Sequence, residues 1–150
     1  MNDSLTYMLP RYEKVKISLG VLTQIRINDH NRISTSDTRI IRRMVRDQQF
    51  RDRGPMATMD DLADVRRGEE KNIYPYQEDA DTIFNTALPY ELSVLKPYAE
   101  PLLESIDKGS VHYAEARRLL RFLKPFKGID SSVVPPNSLL REFIGPDRKK

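Results

Sequence analysis

The sequence predicts a helix-rich α/β chain with few strands. Three observations lead there. Amphipathic stripes of helical period recur from residue 37 to residue 144, whereas apolar alternation of period two is confined to residues 14–27. A short second run, Thr82-Ile83-Phe84-Asn85, is the only other strand candidate. At 150 residues, with 39% hydrophobic and 31% charged side chains, the chain fits one domain that can bury a core.

Taken in order, Val15, Ile17, Leu19 and Val21 alternate and are followed by Ile25 and Ile27, so residues 14–27 hold one or two strands interrupted near Gly20. With 82–86 as the only partner, the two ends of a sheet are expected with its middle missing. Ser34, Thr35, Ser36, Asp37 and Thr38 then offer capping oxygens ahead of a helix. In that helix Arg39, Arg42, Arg43 and Arg46 fall at i, i+3, i+4 and i+7, with Ile40, Ile41, Met44 and Val45 opposite. Gly54-Pro55 stops it, and residues 56–65 form a second short helix, so 37–65 is expected as a helix–turn–helix excursion outside the core. Residues 88–150 make a helical C-terminal region. A stripe of Leu92, Leu95, Ala99, Leu102, Leu103 and Ile106 predicts a helix over 90–106 that Pro97 and Pro101 must kink or divide. Ala116, Leu119, Leu120 and Leu123 predict another over 112–125, with Arg117, Arg118, Arg121 and Lys124 outward. Asn137 or Ser138 caps a last helix over 138–144, and Gly145 occupies its C′ position. With so few strands, the apolar helix faces are expected to be exposed and to invite association.

Net charge is only +3, from 25 Lys+Arg against 22 Asp+Glu, but it is unevenly spread. Residues 39–53 carry six Arg and two Asp, while residues 78–107 carry seven acids and a single Lys96. Like charges one turn apart destabilise an isolated helix by about 0.2–0.5 kcal/mol per pair, so the arginine face calls for an anion. Guanidinium matches phosphate oxygens with a planar fork of donors, which makes Arg39, Arg42 and Arg51 candidate phosphate ligands. The competing reading is a solvated face paired with acids from elsewhere, such as Glu78 or Asp81. Arg66, Arg67, Glu69, Glu70 and Lys71 mix signs and read as a solvated loop or helix surface.

Other chemistry is thin. With no Cys, disulfides, thiolate metal sites and cysteine nucleophiles are excluded. His30 ends the strand candidate and reads as a turn residue; His112 has no motif around it, and neither supports a Ser–His–acid arrangement. Glu78, Asp79 and Asp81 have oxygens suited to Mg²⁺, yet an acidic turn leading a strand explains them better, so no metal site is expected. The six glycines are solitary and none precedes Lys, so the chain has no phosphate loop to wrap ATP. No run of about 18 apolar residues offers a membrane span, and the first residues lack a signal-peptide pattern, which leads to a cytoplasmic expectation.

The run from Asp37 to Asp47, containing Arg39, Arg42, Arg43 and Arg46 and followed by Arg51 and Arg53, resembles the lid segment of uridine kinase-type nucleoside kinases, relatives of phosphoribulokinase with the P-loop kinase fold. Likeness extends to Asn28-Asp29-His30-Asn31-Arg32-Ile33, to residues 65–78, 80–88 and 90–92, and to residues 139–145, so it covers nearly the whole chain. It implies the C-terminal, lid-containing part of a phosphotransferase that moves a phosphoryl group from ATP, with Mg²⁺, to a nucleoside 5′-hydroxyl. By that resemblance Arg43 and Arg53 contact the nucleoside, and Arg46 reaches the transferring phosphoryl group as the catalytic arginine. Such kinases carry the phosphate loop, metal-holding acid and catalytic base before the lid, so the chain is expected to be inactive alone and to need the missing N-terminal kinase half as partner. Asp52 stands where the family motif tends to have Gly. The alternative is a non-enzymatic phosphate- or RNA-binding helical module using the same arginines.

Overall fold

Helix α1, Thr35–Phe50, starts where Ser34 turns extended and its hydroxyl accepts the Asp37 N–H at 3.2 Å. Ile40, Ile41, Met44 and Val45 then fall on one side and are all 5% exposed or less. The computed structural model describes residues 8–23, 26–28, 31–77 and 79–146; Ile25, His30, Glu78 and the basic residues 148–150 lie outside this set. Around α1 the chain runs β1 (Ile17–Gly20), β2 (Arg26–Asn28), β3 (Asn31–Arg32), α1, α2 (Pro55–Asp60), α3 (Leu62–Asn72), β4 (Thr82–Asn85), α4 (Glu91–Glu104), α5 (Tyr113–Leu123) and α6 (Arg141–Ile144). The helix-rich α/β class holds. The expected excursion does not: α1 is the central helix, packed against α4 and α6, because four adjacent apolar positions on a sixteen-residue helix are enough to nucleate the core.

Leu92, Val94, Leu95, Ala99 and Leu103 of α4, Ala116, Leu119 and Leu123 of α5, and Leu140, Phe143 and Ile144 near α6 complete that core. The helix faces expected to be exposed are therefore the buried ones. Helix α4 is not divided by its prolines. Pro97 has no N–H to offer the Ser93 carbonyl, and that oxygen accepts the Ile129 N–H at 2.9 Å instead. The same proline explains Gly128, since a Cβ there would lie 3.3 Å from Pro97 Cγ. Gly145 closes α6 at φ +84° and ψ 174°, an extended positive-φ conformation open essentially only to glycine and not the αL cap expected there.

Strands β1 and β4 are direct parallel neighbours, pairing Ile17 with Thr82 and Gly20 with Asn85, rather than the separated ends of a sheet. A parallel pair needs a long crossover, and α1 to α3 supply it. Strands β2 and β3 form a separate antiparallel pair. Ile17, Leu19, Ile83 and Phe84 are each at least half exposed, so the apolar surface left bare belongs to the sheet. No helix among the described residues is long and apolar enough to cross a membrane.

Candidate functional site

The carboxyl ends of β1 and β4, where ligands settle in open α/β sheets, face the polar side of α1. Between them lies a cleft of about 330 Å³ whose lining includes Arg39, Arg42, Arg43 and Arg46, Leu19 to Val21, Thr86, Arg66 and Glu69 from α3, and Glu142 and Phe143 from α6.

The four arginines of α1 share the cleft but differ in how their donors are committed. Arg42 is a structural cation. It is 5% exposed, donates from Nε to Glu91 Oε2 at 3.0 Å and from Nη2 to the same oxygen, and gives 2.7 Å and 3.3 Å bonds to Thr86 O and Oγ1. Its guanidinium also lies 5.1 Å from the centre of the Phe143 ring. Burial pushes the Glu91 carboxyl up, against the pull of Arg42. Because Thr86 in turn donates from N and Oγ1 to Gly20 O, Arg42 bolts the ends of both strands to α1 and α4.

Arg39 reaches across to α3, with Nη2 2.9 Å from Glu69 Oε1. Arg46 is held loosely: its Nε lies 3.6 Å from Asp47 Oδ1 and an Nη 3.8 Å from Glu142, and the buried Nε makes no hydrogen bond among the described residues. The Arg43 side chain has no ion pair or hydrogen bond among the described residues. Among the α1 arginines, Arg43 and Arg46 are therefore the donors that a ligand can recruit at least cost.

Arg51 and Arg53 are not brought to the cleft. Arg51 lies 3.2 Å from the buried Asp47, and Arg53 pairs with Asp61 at 2.7 Å. The turn between them sends both away, and Asp52 is its pivot at φ +49°, the conformation that glycine adopts without strain.

In the cleft Arg39 is answered by Glu69 and Arg42 by Glu91. Glu78 is outside the described residues, and Asp81 accepts the Lys16 N–H at 2.7 Å. Periodicity missed Arg66 and Glu69 because a mixed-sign segment carries no stripe. Nor is Arg118 outward: it grips Asp37 through two bonds of 2.7 and 2.6 Å, fixing α5 against the start of α1. No group of three or more His, Asp or Glu among the described residues is placed to hold a metal ion.

No family model matches the chain, and no curated protein or solved structure is significantly similar to it.

Proposed function

We propose that the cleft binds the phosphate group of a small phosphorylated ligand, and that the chain acts as the substrate-closing part of a nucleoside kinase-type phosphotransferase whose ATP cradle and catalytic base are supplied by a partner half. The observation that carries the reading is the convergence of Arg39, Arg42, Arg43, Arg46 and Arg66 on one cleft whose lining, among the described residues, has Glu69 and Glu142 as its acids. A bounded space of about 330 Å³ suits one small molecule better than a nucleic-acid strand. In this reading Arg43 and Arg46 donate to the phosphate, Arg42 holds the floor rigid, and charge stabilisation at the phosphoryl group is the contribution to catalysis.

Calorimetric titration tests it. Uridine 5′-monophosphate is expected to bind at low salt at least tenfold more tightly than uridine, and Arg43→Ala with Arg46→Ala is expected to remove that difference, since a hydrogen bond to a charged group contributes about 1.5–3 kcal/mol. The chain alone is expected to transfer no phosphoryl group from ATP to uridine. Failure of every phosphate ligand to bind, or binding indifferent to Arg43, overturns the site; turnover by the chain alone overturns the need for a partner half. Salt-dependent binding of an RNA oligomer without mononucleotide binding favours the non-enzymatic module.

A further inference from the structure

Of the two acids in the cleft lining, Glu69 is the one held close to an arginine. Glu69 sits on α3 with its side chain 12% exposed, its Oε1 2.9 Å from Arg39 Nη2, and its Oε2 accepting the Tyr74 hydroxyl at 3.2 Å. That carboxylate occupies a guanidinium that an incoming phosphate would otherwise meet. Its apolar anchorage is slight, because no residue of α3 is fully buried, only Leu62 at its start packs against the core, and the helix's other charged tie to a neighbouring element is the 4.0 Å approach of Arg66 to Glu115.

We infer that Glu69 is a specificity-determining residue: a tethered carboxylate that a phosphate monoester displaces from Arg39 and a phosphodiester or carboxylate ligand does not. The inference rests on the phosphate-binding reading of the cleft. A monoester carries close to two negative charges at neutral pH, its second pKa being near 6, and offers three terminal oxygens. It can replace the one charge of Glu69 on Arg39 and still engage Arg43 and Arg46. A diester or carboxylate brings a single charge, which only matches what the tethered group supplies, and the tethered group has the advantage of being held in place. Release of Glu69 frees α3 to settle around the bound group. The same filter turns away the internal phosphates of RNA, all of which are diesters.

The test compares uridine 5′-monophosphate with its 5′-methyl ester in the full chain and in Glu69→Gln, by calorimetry at constant ionic strength. The wild-type chain is expected to prefer the monoester by at least tenfold, with the preference growing as pH rises through about 6, where the second charge appears. Glu69→Gln is expected to bind both more tightly and the diester disproportionately, so that the preference falls severalfold. Tyr74→Phe, which removes the brace on Oε2 but keeps the charge, is expected to shift it the same way by a smaller factor. Introducing Arg39→Ala is expected to abolish the effect of Glu69→Gln. An unchanged preference in Glu69→Gln, or weaker binding of both ligands, overturns the inference while leaving the cleft intact as a phosphate site. Absence of binding by every variant overturns the cleft reading itself.

Discussion

Arg42 and Glu91 form a nearly dry ion pair, and removing either leaves the other charge buried alone. Arg42→Ala and Glu91→Ala are each expected to destabilise the fold by about 3–5 kcal/mol in denaturant titrations, whereas replacing both by apolar residues of similar volume should cost much less. Single losses below about 1 kcal/mol would show that the pair does not hold the strand ends. Asp52 is a second sharp test. Its left-handed backbone costs an L-residue about 1–2 kcal/mol in general, less for Asp. The Tm is therefore expected to order Asp52→Gly above Asp52 above Asp52→Ala, and equal values for Gly and Ala would remove the strain argument. At Glu115 the hydrogen bond from Arg118 holds the carboxyl below its ordinary value of 4.5. Its folded pKa is depressed, so the stability it contributes is present above the unfolded pKa and is lost as pH falls through the folded one. Acid titration of Glu115→Gln should lack that share of the loss below about pH 4.5. At this scale the arginine stripe is legible because i, i+3, i+4, i+7 is a local rule. Glu69 and Glu91 were not, because their partners lie 30 and 49 positions away in sequence and no period connects them.

Helices and sheet divide the energetics unequally. Leu95 and Leu119 are wholly buried, and either substitution to Ala is expected to cost about 2–5 kcal/mol. Leu19 and Phe84 are 67% and 61% exposed, so Leu19→Ser or Phe84→Ser should cost less than about 0.5 kcal/mol. Equal losses in the two sets, measured by chemical unfolding, would mean that the sheet is covered in solution. The helices could be read from sequence because each carries its own apolar stripe. Strand pairing could not, since Ile17 and Thr82 are joined by register across a crossover of three helices. Pro97 shows a subtler failure of local rules. Its ring and missing N–H call for a kink or a division of α4; the helix is not divided, and the Ser93 carbonyl that Pro97 leaves free accepts the Ile129 N–H instead.

The molecule as a whole is built from a part held by apolar packing and a part held by charge. Helices α1, α4, α5 and α6 interlock around one core, whereas α3 has no fully buried residue and leans on the core only through Leu62, and α2 contributes Thr58 and Met59. What fixes the α2–α3 arm is largely polar: Arg39 with Glu69, Arg53 with Asp61 inside the arm, and His112 Nε2 2.7 Å from Asp60. The sequence placed the excursion too early by one helix, because a charged stripe and a detached helix look alike until the opposite face is shown to be buried. The consequence is mechanical. Partly exposed ion pairs contribute roughly 0–1 kcal/mol each and weaken as salt screens them, while apolar burial does not. Local opening of α3 should therefore occur at a free energy well below global unfolding. Native-state hydrogen exchange is expected to show amides of α3 exchanging orders of magnitude faster than those of α4 and α5, and 1 M NaCl should accelerate α3 further while leaving α4 and α5 unchanged. Protection of α3 equal to that of α4, insensitive to salt, would show that the arm is part of the core and that the cleft beneath it is a fixed cavity.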